Sequence, residues 1–202
     1  MKLFHSPPSP FVRKCLVVAH ELSLTERIEL VPAAAHPINR DRNVVARNPL
    51  GKIPTLTTDE GTVLYDSRVI CEYLNATGNG QLVPPSGPAR WNVLAEQALA
   101  DGIMEAAVLG RYETVLRPEP LRWNDWLTGQ MEKVTSGLDE IERRATGYGD
   151  RVDLGTIGVG CALGYLDFRY ASLVWRANRP NAASWFERFG ARPSMVATRP
   201  EA

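Results

Sequence analysis

Asn48–Ile70, NPLGKIPTLTTDEGTVLYDSRVI, is the stretch on which the reading of the whole chain turns. Ile53-Pro54-Thr55-Leu56 is a short extended run that starts at a proline, and Asp59-Glu60-Gly61 is a tight turn leading into Val63-Leu64-Tyr65, so the stretch reads as a hairpin. Apolar residues at helical spacing then begin at Val69, Ile70, Tyr73 and Leu74, which makes Asp66 or Ser67 the N-cap of a helix. A proline at the start of a strand gives nothing to the ladder and is accepted at an edge or at a specially shaped approach. With a cis bond at Ile53-Pro54, the Ile53 N–H and C=O would pair with an extended peptide ligand as an added strand. The helix start at Asp66-Ser67 would offer a hydroxyl and free N–H groups to a carboxylate. Read as local structure only, the same residues make an ordinary hairpin with a trans proline and a capped helix, and the two readings stand side by side.

Outward from this stretch, Lys2–His5 alternates like a strand and Ser6-Pro7-Pro8 is a loop. Phe11, Cys15, Val18, Ala19 and Leu22 then recur at helical spacing, with Ser9 at the N-cap and Pro10 at the first helical position. Ser9 either caps this helix and nothing more, or places its hydroxyl and the positive helix end against a bound thiolate. Residues 27–31 read as a second strand and 33–47 as an irregular segment with one helical turn. Strand, helix, strand, hairpin and helix make a small sheet covered by helices. Thr77–Pro88, rich in Gly and Pro, breaks every periodicity and marks a boundary.

Beyond it the chain reads as all-helical. Leu94, Ala98, Ile103 and Val108 mark a first helix ending before Pro118 and Pro120. Trp123, Leu127, Met131, Val134, Leu138, Ile141 and Ala145 form the apolar stripe of a second, with Trp123 read as core. A third helix starts at Asp153, a fourth spans 181–189, and the Pro-containing tail is expected on the surface. Gly155, Gly158, Gly160 and Gly164 loosely echo a dinucleotide loop but lack the βαβ context that such a loop needs; Gly160 and Gly164 read instead as close helix contacts.

Composition narrows the function classes. With 23 basic and 23 acidic residues in 202, no net field favours nucleic acid or an anionic membrane. No apolar run has the length of a membrane span, so a cytoplasmic protein is expected. Cys15, Cys71 and Cys161 are scattered and read as buried thiols, and His5, His20 and His36 form no metal motif.

Ser9-Pro10-Phe11-Val12-Arg13-Lys14, the Asn48–Leu56 run, Asp66-Ser67, the Pro-rich linker and the helical second half together resemble the cytosolic glutathione S-transferases, in particular their bacterial YibF-like group. The segments Ala100–Met104 and Cys161–Arg169 carry the likeness to that group. The resemblance implies an α/β thioredoxin-like domain over residues 1–78, a linker over 79–88, an all-helical domain over 89–202, a cis Pro54 and a homodimer. It implies glutathione as co-substrate and no metal, with Ile53 and Pro54 on the cysteinyl part and Asp66 and Ser67 on the γ-glutamyl end. Lys52 and His36 would lie near the glycine carboxylate, and Glu105, with Asp101 one turn earlier, would reach the glutamyl amine. Ser9 stands where related thiol transferases carry cysteine; a hydroxyl forms no mixed disulfide but can donate to the glutathione sulfur. Ser6 is the alternative donor. The implied activity is transfer of the glutathione thiolate to a small hydrophobic electrophile, with Leu109, Tyr112, Trp123 and Tyr165 as candidate pocket residues. A noncatalytic glutathione-binding or dimeric scaffold and a glutathione-dependent isomerase are the competing readings. One departure from the family pattern is the Asp153/Thr156 pair, in which Thr156 is expected to be a poor return partner in the capping box.

Overall fold

The structure is a computed structural model that describes residues 1–200. Its contacts divide the chain into two compact units, Met1–Arg90 with the tail from Pro193, and Trp91–Arg192.

The first unit runs β1 (Lys2–His5), α1 (Pro10–Glu21), β2 (Glu29–Pro32), α2 (Arg42–Val45), β3 (Thr55–Thr57), β4 (Val63–Leu64) and α3 (Ser67–Thr77). The strands lie in the order β2-β1-β3-β4, with β1 parallel to β2 and β3 antiparallel to both of its neighbours. A parallel pair needs a crossover, and α1 supplies it. The expected hairpin is β3–β4; its turn closes with Thr58 N–H donating to Thr62 O at 2.8 Å, and Gly61 takes a φ of +86° that glycine adopts without penalty. Leu3, Phe4 and Leu56 of the sheet are buried, as are Val17 and Val18 of α1 and Ile70 and Leu74 of α3. This is the small helix-covered sheet expected from the order of elements, in the thioredoxin-like α/β arrangement that the resemblance implies. The three cysteines are buried, and Cys15 and Cys71 bring α1 and α3 to a Sγ–Sγ distance of 3.8 Å.

The tail departs from its expected place on the surface. Pro193–Ala197 forms α8, which packs on α1 with Met195 fully buried, and the Met195 carbonyl accepts from the Arg13 guanidinium at 3.0 Å. Arg13 is buried at this contact, and Lys14 beside it is buried as well. A helix contributed from the far end of the chain is invisible to a local pattern.

The second unit is helical: α4 (Gly87–Arg111), a π turn over Tyr112–Leu116, α5 (Asn124–Ala145), α6 (Leu154–Arg169) and α7 (Pro180–Gly190). Every residue of α6 from Leu154 to Leu166 is buried, so this helix is the unit's core. The buried face of α4 is not the stripe read from the sequence. Val93, Glu96, Gln97, Ala100, Ile103 and Met104 point inward, whereas Ala98 is exposed. The apolar pattern missed this face because it turns on an ion pair: Glu96 is 6% exposed and is bonded by Arg151. Burial raises the Glu96 carboxyl above its ordinary value, against the pull of Arg151. α6 approaches α4 closely at Gly155 and Gly158; a Cβ on Gly155 would stand 2.8 Å from Glu96 Cβ. Trp123, read as core, is 63% exposed at the N-cap of α5, whose buried residues begin only at Gln130. Among the described residues no helix is long and apolar enough to cross a membrane.

Glu140 on α5 accepts from Arg143 and Arg144, and these bonds hold its carboxyl down at about 2 from an ordinary 4.5. A carboxyl whose pKa is depressed in the fold adds stability that is complete above 4.5 and is lost as pH falls toward 2. The thermal midpoint is therefore expected to decline over that window, and Glu140→Gln to flatten the decline. Equal slopes in the two proteins, followed by circular dichroism, would refute this.

Candidate functional site

Topology gathers the candidate residues of the first unit at one end of the sheet. β1 and β2 run in parallel, so the loops after both strands leave from the same end. β3 runs antiparallel to β1 and begins there, and β4, antiparallel to β3, ends there. That end therefore carries the Ser6–Ser9 loop and the start of α1, His36 after β2, the Lys52–Pro54 approach to β3, and the start of α3. Ligands of open α/β sheets bind at this kind of edge, where strand ends and helix N-termini converge.

Ser9 is the N-cap of α1, with extended dihedrals of φ −78° and ψ 118° and with Pro10 following it inside the helix. Its Oγ accepts from Val12 N–H at 3.3 Å and its own N–H donates to Ser6 O at 3.0 Å. The hydroxyl hydrogen is left to donate elsewhere. Neighbouring His5 is half-buried, and burial lowers its pKa, which favours the neutral imidazole.

The Ile53-Pro54 bond is cis, as the resemblance implies. Phe4 pairs with Thr55, which sets His5 at the level of Pro54 and the loop after β1 beside the turn. Asn48, 1% exposed, shapes this turn: its Nδ2 donates to Lys52 O and to Thr55 Oγ1, both at 3.0 Å, and its Oδ1 accepts from Leu50 N–H at 3.0 Å. Thr55 Oγ1 also donates to Lys52 O, at 2.9 Å. Among the described residues no hydrogen bond engages the N–H or C=O of Ile53. In the sequence Asn48 is marked only as an amide directly before Pro-Leu-Gly. The Lys52 side chain is exposed.

At the head of α3, Asp66 rather than Ser67 is the N-cap, its carboxylate accepting from Arg68 N–H at 3.0 Å. The Tyr65-Asp66 peptide is also cis. Ser67 is the first helical residue and is 3% exposed, with its carbonyl 3.8 Å from Cys15 Sγ on α1. That contact ties the start of α3 to the middle of α1. A helix leaves its first N–H groups without internal partners, and with the dipole this favours a negative ligand group.

His36 Nδ1 accepts from Ile38 N–H at 3.2 Å and from Asn39 N–H at 3.0 Å, which leaves Nε2 as the free ring position. Glu105 and Asp101 belong to the second unit, Glu105 exposed on α4 and Asp101 buried. Contrary to expectation, Thr156 serves as a full return partner at α6: its Oγ1 accepts from Asp153 N–H at 3.0 Å while Asp153 Oδ1 accepts from Thr156 N–H at 2.9 Å. The Thr156 N–H lies in the first turn, where the helix itself offers it no acceptor, so the cap carboxylate takes it while the hydroxyl returns the bond to the cap amide. Among the described residues no group of three His, Cys, Asp or Glu side chains is placed to hold a metal ion.

Comparison with known proteins agrees with this layout. Residues 8–77 match the family model of the glutathione S-transferase N-terminal domain and residues 124–188 that of the C-terminal domain. The chain is 37% identical to the uncharacterized GST-like protein YibF of Escherichia coli K12, over 99% of this chain and 98% of that protein. A glutathione transferase family member from Pseudomonas fluorescens Pf-5, solved with bound glutathione, superposes with a TM-score of 0.97 at 46% identity, covering 100% of this chain and 99% of that one. The same bacterium's family member, solved with S-(propanoic acid)-glutathione, gives a TM-score of 0.92 at 45% identity over the full length of both chains. The hairpin, the two capped helices and the helical second unit are thus those of a known lineage, and the chain belongs to the glutathione S-transferase family.

Proposed function

We propose that this protein binds glutathione at the sheet end of its first unit and transfers the glutathione sulfur to a small, largely apolar electrophile. The observation that carries the reading is the convergence of one unengaged backbone edge, at Ile53 beside cis Pro54, with two capped helix starts, at Ser9 and at Asp66-Ser67. Ile53 offers one donor and one acceptor to the cysteinyl residue, as an added strand would use them. The start of α3 meets the γ-glutamyl carboxylate, and the Asp66 carboxylate meets the ammonium beside it. Lys52 and the Nε2 position of His36 serve the glycine carboxylate. Ser9 then stands at the sulfur, where its hydroxyl and the positive end of α1 favour the thiolate. The relatives solved with glutathione and with S-(propanoic acid)-glutathione support a site that accepts both the free and the substituted sulfur. Assembly as a homodimer, with Glu105 directed at the glutamyl amine, and a cytoplasmic location complete the proposal.

The thiol itself reports on this reading. Glutathione titrated in the presence of the protein and followed by thiolate ultraviolet absorbance is expected to ionise at least about one pH unit below its free pKa of roughly 8.5. Binding with an unshifted thiol would replace the transferase by a noncatalytic glutathione-binding protein, and absence of binding would remove the site.

A further inference from the structure

His5, the last residue of β1, lies at the sheet end that carries the proposed site, and the proposed transfer gives it no task. Strand alternation sets the direction of its side chain. Phe4 pairs with Thr55, its ring centroid lies 5.3 Å from the Arg47 guanidinium carbon, and Thr55 Oγ1 is bonded by Asn48, so this face of the sheet meets the residues that follow α2. Leu3 and Leu56 are fully buried on the opposite face, which α1 and α3, joined through Cys15 and Cys71, are left to cover. Side chains change face at every residue, so His5 projects on the side of Leu3, toward these helices. It does so at the end of the sheet where both helices start.

Two anchors fix what lies around the ring. On one side the β1–β3 register sets His5 at the level of Pro54, next to the Ile53 N–H and C=O assigned to the cysteinyl residue. On the other, Ser9 N–H donates at 3.0 Å to the carbonyl of Ser6, the residue after His5, which folds Ser9 back over the strand end. An imidazole and a hydroxyl therefore flank the place assigned to the sulfur. Among the described residues no hydrogen bond or ion pair engages the His5 ring, which is half-buried. The charged and titratable side chains at this end are Arg13, Lys14 and Cys15 on α1, Asp66, Arg68 and Cys71 at α3, and Lys52 before β3. None of them sets the state of the ring: burial is what lowers its pKa from 6.5, so the free site holds a neutral imidazole with one unprotonated nitrogen.

We propose that His5 takes the proton of the glutathione thiol and holds the sulfur as one half of an imidazolium–thiolate pair, with Ser9 donating to the same sulfur. The proposal rests on the transferase reading and adds to it the destination of the thiol proton. The S–H bond breaks with its electron pair left on sulfur, and the proton forms an N–H bond on the ring. A ring that is a weak base in the free site becomes a stronger one in the complex, because the thiolate favours the imidazolium as the imidazolium favours the thiolate. When the sulfur bonds to the electrophile, the imidazolium returns the proton to the leaving group or, in an addition, to the atom that receives the displaced electron pair. No oxidant or reductant is involved.

The ring itself reports on the pair, in the unaltered protein. In proton NMR titrations His5 is expected to gain its proton below pH 6.5 in the free protein and at least about one pH unit higher with saturating glutathione. S-methylglutathione, which fills the site without a thiol, is expected to leave it at the free value. The chain has three histidines, so His20→Gln and His36→Gln identify the His5 signal by elimination. In His5→Gln the bound thiol, followed by thiolate absorbance, should ionise about half a unit to one pH unit higher than in the unaltered protein, with the affinity for S-methylglutathione unchanged within about twofold; a merely structural role would lower that affinity and leave the thiol where it was. A His5 ring that titrates alike with glutathione and with S-methylglutathione, or a thiol pKa that the substitution does not raise, would overturn the pair while leaving the transferase reading intact. Failure of both ligands to bind would overturn both.

Discussion

Asp153→Ala is expected to lower the thermal unfolding midpoint by about 9 °C, the largest stability change assigned to any single residue of the second unit. Asp153 is 5% exposed at the head of α6, the helix whose residues 154–166 are all buried. Its Oδ1 accepts from Thr156 N–H at 2.9 Å, and its Oδ2 pairs with Arg151 Nε at 3.1 Å. Arg151 in turn bonds Glu96, buried against Gly155. Alanine removes the cap and leaves the buried Thr156 N–H without its acceptor, which together cost up to about 2 kcal/mol, and it also loses the pairing with Arg151, which adds up to about 1 kcal/mol. A total near 3 kcal/mol, at about 2–4 °C per kcal/mol for a chain of this size, gives the expected shift. Asp153→Asn keeps an oxygen for Thr156 and loses only the pairing with the half-exposed Arg151, so its loss should be less than half as large. Calorimetric scans of the three proteins decide the matter. If alanine and asparagine behave alike, the cap is not what holds the helix.

What the sequence discloses of this fold is what neighbouring residues decide among themselves. Ser9-Pro10 and Asp66-Ser67 announce helix starts because cap and first turn lie within four residues, and the structure has both caps, with Asp66 as the one the pair left open. The β3–β4 hairpin is legible for the same reason, through Gly61 and the alternation on either side. The face of α4 is not, because Glu96 is buried by Arg151, a residue 55 positions away that no periodicity records. α8 is hidden in the same way, since the surface of α1 that it covers carries the charged Arg13. Trp123 shows the opposite error, an apolar residue assigned to the core by spacing although the buried stripe of α5 starts only at Gln130. In the site, the cis proline turn was legible from Ile53-Pro54 and the resemblance, but Asn48, whose side chain supports it through three hydrogen bonds with Lys52, Thr55 and Leu50, was not. The amide acts by holding backbone in place, and sequence chemistry marks groups that react more readily than groups that hold.

Ser9→Ala carries the largest expected effect on chemistry, a fall of roughly 10- to 100-fold in kcat/KM for conjugation with little change in glutathione affinity. The magnitude is that of one hydrogen bond to a charged acceptor, about 1.5–3 kcal/mol, present for the thiolate and weaker for the thiol. The same asymmetry requires the bound thiol to titrate about one to two pH units higher in the variant, because one unit corresponds to about 1.4 kcal/mol of preference for the ionised form. Glutathione affinity should stay within a few fold, since Ile53, Asp66 and Ser67 are assigned the rest of the molecule and none of them moves when a single hydroxyl is removed. Helix α1 also loses its cap, worth about 1 kcal/mol, yet it remains packed against α3 and α8, so the protein should stay folded. Ser6→Ala is the control, for Ser6 lies in the same loop and accepts from Ser9 N–H through its carbonyl, a bond that alanine preserves. Steady-state rates and the thiol titration, measured together on both variants, separate the possibilities. A loss of rate in Ser9→Ala without a rise in the thiol pKa would mean that the serine positions the sulfur rather than stabilising its charge. A loss confined to Ser6→Ala would move the donor to that residue, because only one of the two hydroxyls can be the group whose removal the sulfur registers.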